Sequence, residues 1–329
     1  MRKTPSHTIR AIGGYFELEL AHASVRHTQA VALNSGRNAL EYLLRLRNYR
    51  KVYFAVFTCA AVEETVRKLR MSFDKYSINE RMEPIFDFTS LTDGDVFIYT
   101  NYFGLKSNFV RHLSTLRVNI IIDNAQAFFD YPIADMDTFY SPRKFFGVPD
   151  GGYAYTSATG SIELPTSYSS TRMGHLINRH DRSAAAAYPL YQEAEAAIAS
   201  EPLCAMSALT TRILQSIDYK LARTRRKSNF SILHTALGDI NKFHIDADTD
   251  IEYDAMTYPL MCDDSDLRER LHANSIFTAT YWPNVISDAD PESIEYNYAT
   301  KLVHLPIDQR YGATEMRLIT KLAIERWSA

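Results

Sequence analysis

From about residue 31 the chain alternates short apolar runs with helical stretches, and this alternation restricts it to an α/β sheet fold. The strand candidates are VYFAVF (52–57), MSFDKYS (71–77), VFIY (96–99), VNIII (118–122), TFY (138–140) and GYAYT (152–156). Several are continuously apolar, as strands covered on both faces are. Between them lie amphipathic patterns: NALEYLLRLRN, with Leu40, Leu43, Leu44 and Leu46 on one broad face, then AAVEETVRKLR and NFVRHLSTL. The expectation is a large domain with a mixed, mostly parallel sheet between helices.

From 182 to 240 the text turns to long helix, with no strand-like run. After His244 short strands return in YDAMTYPLM, IFTATYW and KLVHLP, separated by the helical patterns SDLRERLHAN and ATEMRLITKLAIERW. A smaller C-terminal α/β domain fits that remainder. The reading divides the chain into an N-terminal arm (1–30), a large domain (31–215), and a linker helix with a small domain (216–329). With 46% hydrophobic residues over 329 positions the chain can build a substantial core, which excludes global disorder. Its 36 basic and 39 acidic residues are interleaved, and RTRRK (223–227) is the only tight basic cluster. Neither a nucleic-acid stripe nor a membrane-binding tail is present, so a small-molecule or protein partner is expected. Cys59, Cys204 and Cys262 are odd in number and far apart, which supports neither a disulfide framework nor a zinc site, and no metal is expected. The longest apolar run, 52–62, falls short of the roughly 20 residues a membrane span needs, and the start MRKTPSHT has no signal core behind it. A reduced, cytoplasmic protein is expected.

Three constellations could carry chemistry. In NSGRNAL, Ser35 and Gly36 precede an apolar-periodic helix; Ser caps it, Gly admits close approach, and the free N–H groups of such a start suit phosphate. An ordinary capped helix shows the same letters. In IIIDNAQAFF, Asp123 follows the most strand-like run, at the strand end where open α/β sheets bind ligands. A cap for the next helix is the alternative, and Gln126 fits either role. In FYSPRKFFGVPDGGYAYT, Lys144 stands among aromatics, where lost solvation favours the neutral, nucleophilic amine. A surface lysine on a loop is the alternative. Ser141 and Lys144 match the Ser-x-x-Lys of penicillin-binding enzymes, but the companion Ser-Asp-Asn and Lys-Thr-Gly are absent; FGLKS lacks the glycines of a P-loop.

Taken in order, these pieces resemble the pyridoxal-phosphate enzymes of the aspartate aminotransferase fold (fold type I), and within them the DegT/DnrJ/EryC1/StrS sugar aminotransferases. NSGRNAL is similar to the family's phosphate-binding SGTxAL segment. Asp123-Asn124-Ala125-Gln126 is similar to its D-x-A-Q/H, and Ser141, Lys144 and Gly151-Gly152 to its serine, lysine and trailing glycines. VYFAVFTCAAVEETV, NYFG, TATYWPNV and LVHLPIDQRYGATEM extend the likeness over much of the chain.

The resemblance implies a transferase with pyridoxal 5'-phosphate as cofactor. Lys144 would form a Schiff base with its aldehyde and then move the proton between substrate and cofactor. Asp123 would pair with the ring nitrogen, Ala125 leave room for the ring, and Gln126 bond its 3'-oxygen. The phosphate would rest on the N–H groups of Gly36, Arg37 and Asn38 behind the Ser35 cap, with the Ser141 hydroxyl as a further donor. Phe57 or Cys59 stands where the family stacks a ring on the cofactor. The likeness further implies a homodimer, with Asn178 reaching the partner's phosphate. Glutamate as donor and a nucleotide-linked keto-sugar as acceptor would follow, with Arg143, Arg172 and Arg179 near the relevant segments. Other pyridoxal-phosphate chemistry, or a cofactor-loaded regulatory protein without turnover, are the alternatives.

Overall fold

The computed structural model describes residues 12–23, 26–245 and 254–325. Residues 1–11 and 24–25 of the expected N-terminal arm, Tyr253 of YDAMTYPLM, and Arg326 and Trp327 of the last helical pattern lie outside them. One eight-stranded sheet is built from β1 (Val31–Leu33), β2 (Lys51–Ala55), β3 (Ser72–Ile78), β4 (Pro84–Ile85), β5 (Asp95–Thr100), β6 (Ile120–Asp123), β7 (Asp137–Tyr140) and β8 (Gly152–Tyr155). Their order is β1-β8-β7-β6-β5-β2-β3-β4. The central pairs β7/β6, β6/β5, β5/β2 and β2/β3 are parallel, whereas β1/β8, β8/β7 and β3/β4 are antiparallel. The mixed, mostly parallel sheet read from the sequence is therefore the observed one.

Seven helices accompany this part: α1 (Gly36–Arg47), α2 (Ala60–Lys68), α3 (Ser107–Leu113), α4 (Gly174–Asp181), α5 (Ala184–Ser200), α6 (Ala208–Leu214) and α7 (Tyr219–Leu237). A two-stranded antiparallel ribbon, β9 (Thr257–Leu260) with β10 (Val303–Pro306), follows with α8 (Leu267–Ala273), α9 (Pro283–Asp288), α10 (Ile294–Lys301) and α11 (Ala313–Ile324). No helix among the described residues is long and apolar enough to cross a membrane.

The alternation of side chains across the pleat sorts each strand into two cores. Val96 and Ile98 of β5 and Ile121 of β6 join Leu40, Leu43 and Leu44 of α1 on one face. Phe97 and Tyr99, with Ile120 and Ile122, face the other way and pack with Leu260, Leu305 and Met316 of the C-terminal segment. Every residue of β5 and β6 is buried, which is why these runs read as unbroken apolar text.

Two expectations are corrected. The stretch 182–240 is three helices, because Ser207 and Asp218 cap new starts at α6 and α7. IFTATYW forms no strand: it makes one bridge, Ala279 to His304, and then Trp282 turns left-handed (φ 56°) ahead of Pro283. β1 and β4 were not foreseen, since three and two residues carry too little periodicity to be read.

Candidate active site

The start of α1 and the carboxyl ends of β6 and β7 meet on one rim of the sheet, the usual place for a ligand in an open α/β fold. Segments far apart in the sequence, at 34–36 and 151–152, are joined there. Gly151 N–H donates to the Asn34 carbonyl (2.8 Å), and Ser35 bridges Gly151. A methyl group at Gly152 would stand 2.1 Å from the Ser35 carbonyl oxygen, so this approach admits glycine alone. At Gly36 an added Cβ would lie 3.1 Å from Ser141 Cβ and 3.5 Å from its Oγ. The Ser141 hydroxyl thus sits beside the first turn of α1, whose N–H groups lack helical acceptors. One of the three amides expected to hold an anion is engaged: Asn38 N–H donates to Ser35 Oγ (3.1 Å), forming the cap. Of the three, that leaves the amides of Gly36 and Arg37. The Asn38 side chain donates to Asn34 Oδ1 (2.8 Å) and the Pro202 carbonyl (2.9 Å), and the Arg37 guanidinium pairs with Glu64 of α2.

Asp123 ends β6 and is 6% exposed. Its Oδ1 accepts from Ala125 N–H at 2.8 Å, so it is a turn former as well as a buried carboxylate. Burial pushes its carboxyl above the ordinary carboxylate range; the nearby Lys144 ammonium and the Ala125 N–H oppose that rise. Lys144 closes the short 3₁₀ turn Pro142–Lys144, and its side chain is exposed on the single chain. Gln126 is buried: its Oε1 accepts from Phe103 N–H at 3.0 Å, and its Nε2 has no partner. A buried donor without an acceptor is costly and marks a place where something else can accept.

The remaining expected residues sit differently. Phe57 is 1% exposed and packs edge-on to Trp282, with ring centroids 4.6 Å apart, so it belongs to the core; Cys59, half-buried at the start of α2, is the one with free surface. Asn178 donates to Gly174 on its own helix (2.8 Å). Arg143 pairs with Glu195 of α5, and Arg172 is buried against Glu201 and Asp150. Arg179 is exposed on α4.

A supporting network went unread in the sequence. Asp150 is fully buried and accepts from Ser207 N–H (3.2 Å), Ser207 Oγ (3.0 Å) and Ser167 Oγ (3.4 Å). It anchors the glycine pair to the start of α6, while Asn34 Nδ2 donates to Glu201 Oε2 (3.1 Å). Aspartate before Gly-Gly was its only sequence signal. Elsewhere, a groove of about 610 Å³ at the far edge of the sheet is lined by Ile78, Ile85 and Glu295. It holds none of these residues, and Glu295 is taken up by Ile78 N–H (2.8 Å).

No family model matches the chain, and neither does any curated protein. Solved structures do. A sugar aminotransferase of Micromonospora echinospora, CalS13, superposes with a TM-score of 0.62 at 13% identity, over 91% of this chain and 87% of that one. A DegT DnrJ EryC1 StrS aminotransferase of Brucella abortus gives 0.60 at 16%, over 92% and 86%. NtdA of Bacillus subtilis, solved with bound cofactor PMP, gives 0.62 at 14%, over 92% and 73%. The chain shares the fold of these structures. The likeness spans the eight-stranded sheet and the C-terminal ribbon together, so the element order read from the sequence is the order of this fold.

Proposed function

We propose that the chain is a pyridoxal-phosphate-dependent aminotransferase that moves an amino group from glutamate to a nucleotide-linked keto-sugar. The observation that carries this reading is the buried carboxylate of Asp123 within electrostatic reach of Lys144 on the rim where α1 begins. The donor set fits the cofactor at each end. The slot between Gly36 and Ser141, which a single Cβ would crowd, suits a phosphate with two amides and a hydroxyl around it. The unpartnered Gln126 Nε2 suits the ring oxygen. When bound, the cofactor supplies an aldehyde that condenses with amines and a ring that draws in electrons.

The chain's own residues do the rest. Lys144 Nζ would hold the group and, as a free amine, would take up the proton at the substrate α-carbon. Asp123 would face the ring nitrogen, where a protonated ring would supply the opposite charge that its buried carboxylate favours. Ala125, being small, would leave room for the ring, and Cys59 would border it from α2. In this reading residues 31–215 carry the cofactor and 216–329 cover it, in a cytoplasmic homodimer. The exposure of Lys144 on one chain supports a second copy as the missing wall, with Asn178 reaching across. So do exposed Tyr168, Ile177, Tyr188 and Tyr191 on and near the α4–α5 hairpin.

The test is the visible absorbance of the protein with pyridoxal phosphate, before and after glutamate, followed by borohydride trapping and peptide mapping. The expected outcome is label on Lys144 and none in Lys144→Ala. A spectrum indifferent to glutamate, with the same label pattern in the variant, would end the proposal.

A further inference from the structure

Arg226 has no part in the site as read so far. It stands in α7 inside RTRRK, the one tight basic cluster of the sequence, yet it is 2% exposed. A buried guanidinium is costly unless its donors are satisfied. Here neutral oxygens satisfy them: Nε donates to Gln309 Oε1 (2.9 Å), Nη1 to the Met256 carbonyl (3.1 Å), and Nη2 reaches the Phe145 carbonyl (3.5 Å). The guanidinium lies 4.6 Å from the centroid of the Phe145 ring. Gln309 Nε2 donates to the same Phe145 carbonyl at 2.8 Å. Asp308, the carboxylate that acts on Arg226, is itself paired with Arg310.

Phe145 is the residue after Lys144. The N–H groups of Phe145 and Phe146 both close onto the Pro142 carbonyl at 2.9 Å, which forms the turn that carries the lysine. The carbonyl gripped by Arg226 and Gln309 is therefore the exit of that turn, and the Arg143 pair with Glu195 fastens its interior. An apolar side chain could fill the space at Arg226 with less desolvation. It could not tie α7, the entry to β9 and the segment after β10 to one peptide group, as the planar fork does.

We propose that Arg226, acting with Gln309, is a positioning residue that fixes the backbone of Lys144 where its amine can meet an aldehyde carbon beside Asp123. The proposal rests on the role given to Lys144 above. A displacement of about 1 Å at a reacting group can cost roughly a hundredfold in rate.

Arg226→Met and Gln309→Leu test it. The readouts are the rate at which apoprotein captures pyridoxal phosphate on Lys144, followed by absorbance and borohydride mapping, and the pH midpoint of the visible band. Thermal unfolding is recorded alongside. Both variants are expected to capture roughly ten- to a hundredfold more slowly, with the midpoint moved by about half a pH unit or more. Capture at the wild-type rate with an unmoved midpoint in folded variants overturns the proposal and leaves the cofactor reading intact. Slower capture that merely tracks a lower melting temperature, at an unmoved midpoint, overturns it too. Absence of label on Lys144 in the wild-type protein defeats the cofactor reading and takes this proposal with it. Should Arg226→Met fail to fold, Gln309→Leu, which removes one neutral side chain, decides by the same criteria.

Discussion

Gly152→Ala probes the junction on which the rim is built. The added methyl would stand 2.1 Å from the Ser35 oxygen, 2.4 Å from its carbonyl carbon and 2.8 Å from Gly36 N. Ordinary carbon contacts begin near 3.4 Å, so β8 and the start of α1 must part by about 1.3 Å. All three atoms are backbone, and no rotamer change can relieve the overlap. Parting the two segments strains the Gly151–Asn34 hydrogen bond and lifts Gly36 from Ser141. Overpacking of about 1–3 kcal/mol and the loss of one buried hydrogen bond, about 1 kcal/mol, give a destabilisation of about 2–4 kcal/mol. Gly36→Ala is the control. Its methyl meets the Ser141 side chain at 3.1 Å, which can yield by a few tenths, and alanine favours the helix, so stability stays within about 1 kcal/mol while the anion slot narrows. Urea unfolding read by tryptophan fluorescence measures both, since Trp282 is buried. A Gly152→Ala midpoint equal to wild type, or a greater loss in Gly36→Ala, would refute the steric argument.

Two further outcomes concern pH. Burial raises the folded-state pKa of Asp123, so its stabilising contribution is present in acid and is lost as pH rises above the ordinary carboxylate range. Asp123→Asn apoprotein should therefore be more stable than wild type at neutral pH but not in acid, while it captures pyridoxal phosphate poorly; urea midpoints at the two pH values decide, and a variant weaker at both contradicts the sign. His27 behaves oppositely. It is 3% exposed, bonded to Tyr155 Oη and the Phe128 carbonyl, and desolvation lowers its pKa from 6.5 to about 4. Its contribution is complete above 6.5 and drains as pH falls toward about 4, by about 3 kcal/mol in all. His27→Gln should flatten the acid limb of stability between pH 7 and 4, and a limb of unchanged slope would count against it.

Local text carried the centre of the fold. β5 and β6 were legible because burial on both faces writes an unbroken apolar word, and α1 because Ser35 announces it and Leu40, Leu43 and Leu44 share one face. Asp123, Gln126, Ser141 and Lys144 stand out in the text through their order along the chain, at or just past the ends of readable strands. What depended on distant partners was not. Phe57 looks like a ring free to stack until Trp282 claims it. Arg226 looks like one more surface charge, since nothing in RTRRK marks which cation turns inward; its acceptor at Phe145 lies 81 residues away, and Gln309 meets the same carbonyl from 164 away. Asp150 meets Ser207 across 57 residues. IFTATYW has the composition of a strand, and a left-handed Trp282 followed by proline overrides it.

The core shared between the sheet and the C-terminal ribbon bears on how the protein is made. Phe97, Tyr99 and Ile122 are covered by Leu260 and Leu305, so the sheet is complete at Tyr155 while one broad oily side still waits for residues about 105 to 150 positions later. At a synthesis rate of roughly 5–20 residues per second, a nascent chain spends roughly five to thirty seconds with that side bare to the cell. Chaperones that shelter such a surface on the nascent chain should weigh on the yield of folded protein more than any single residue of the rim does.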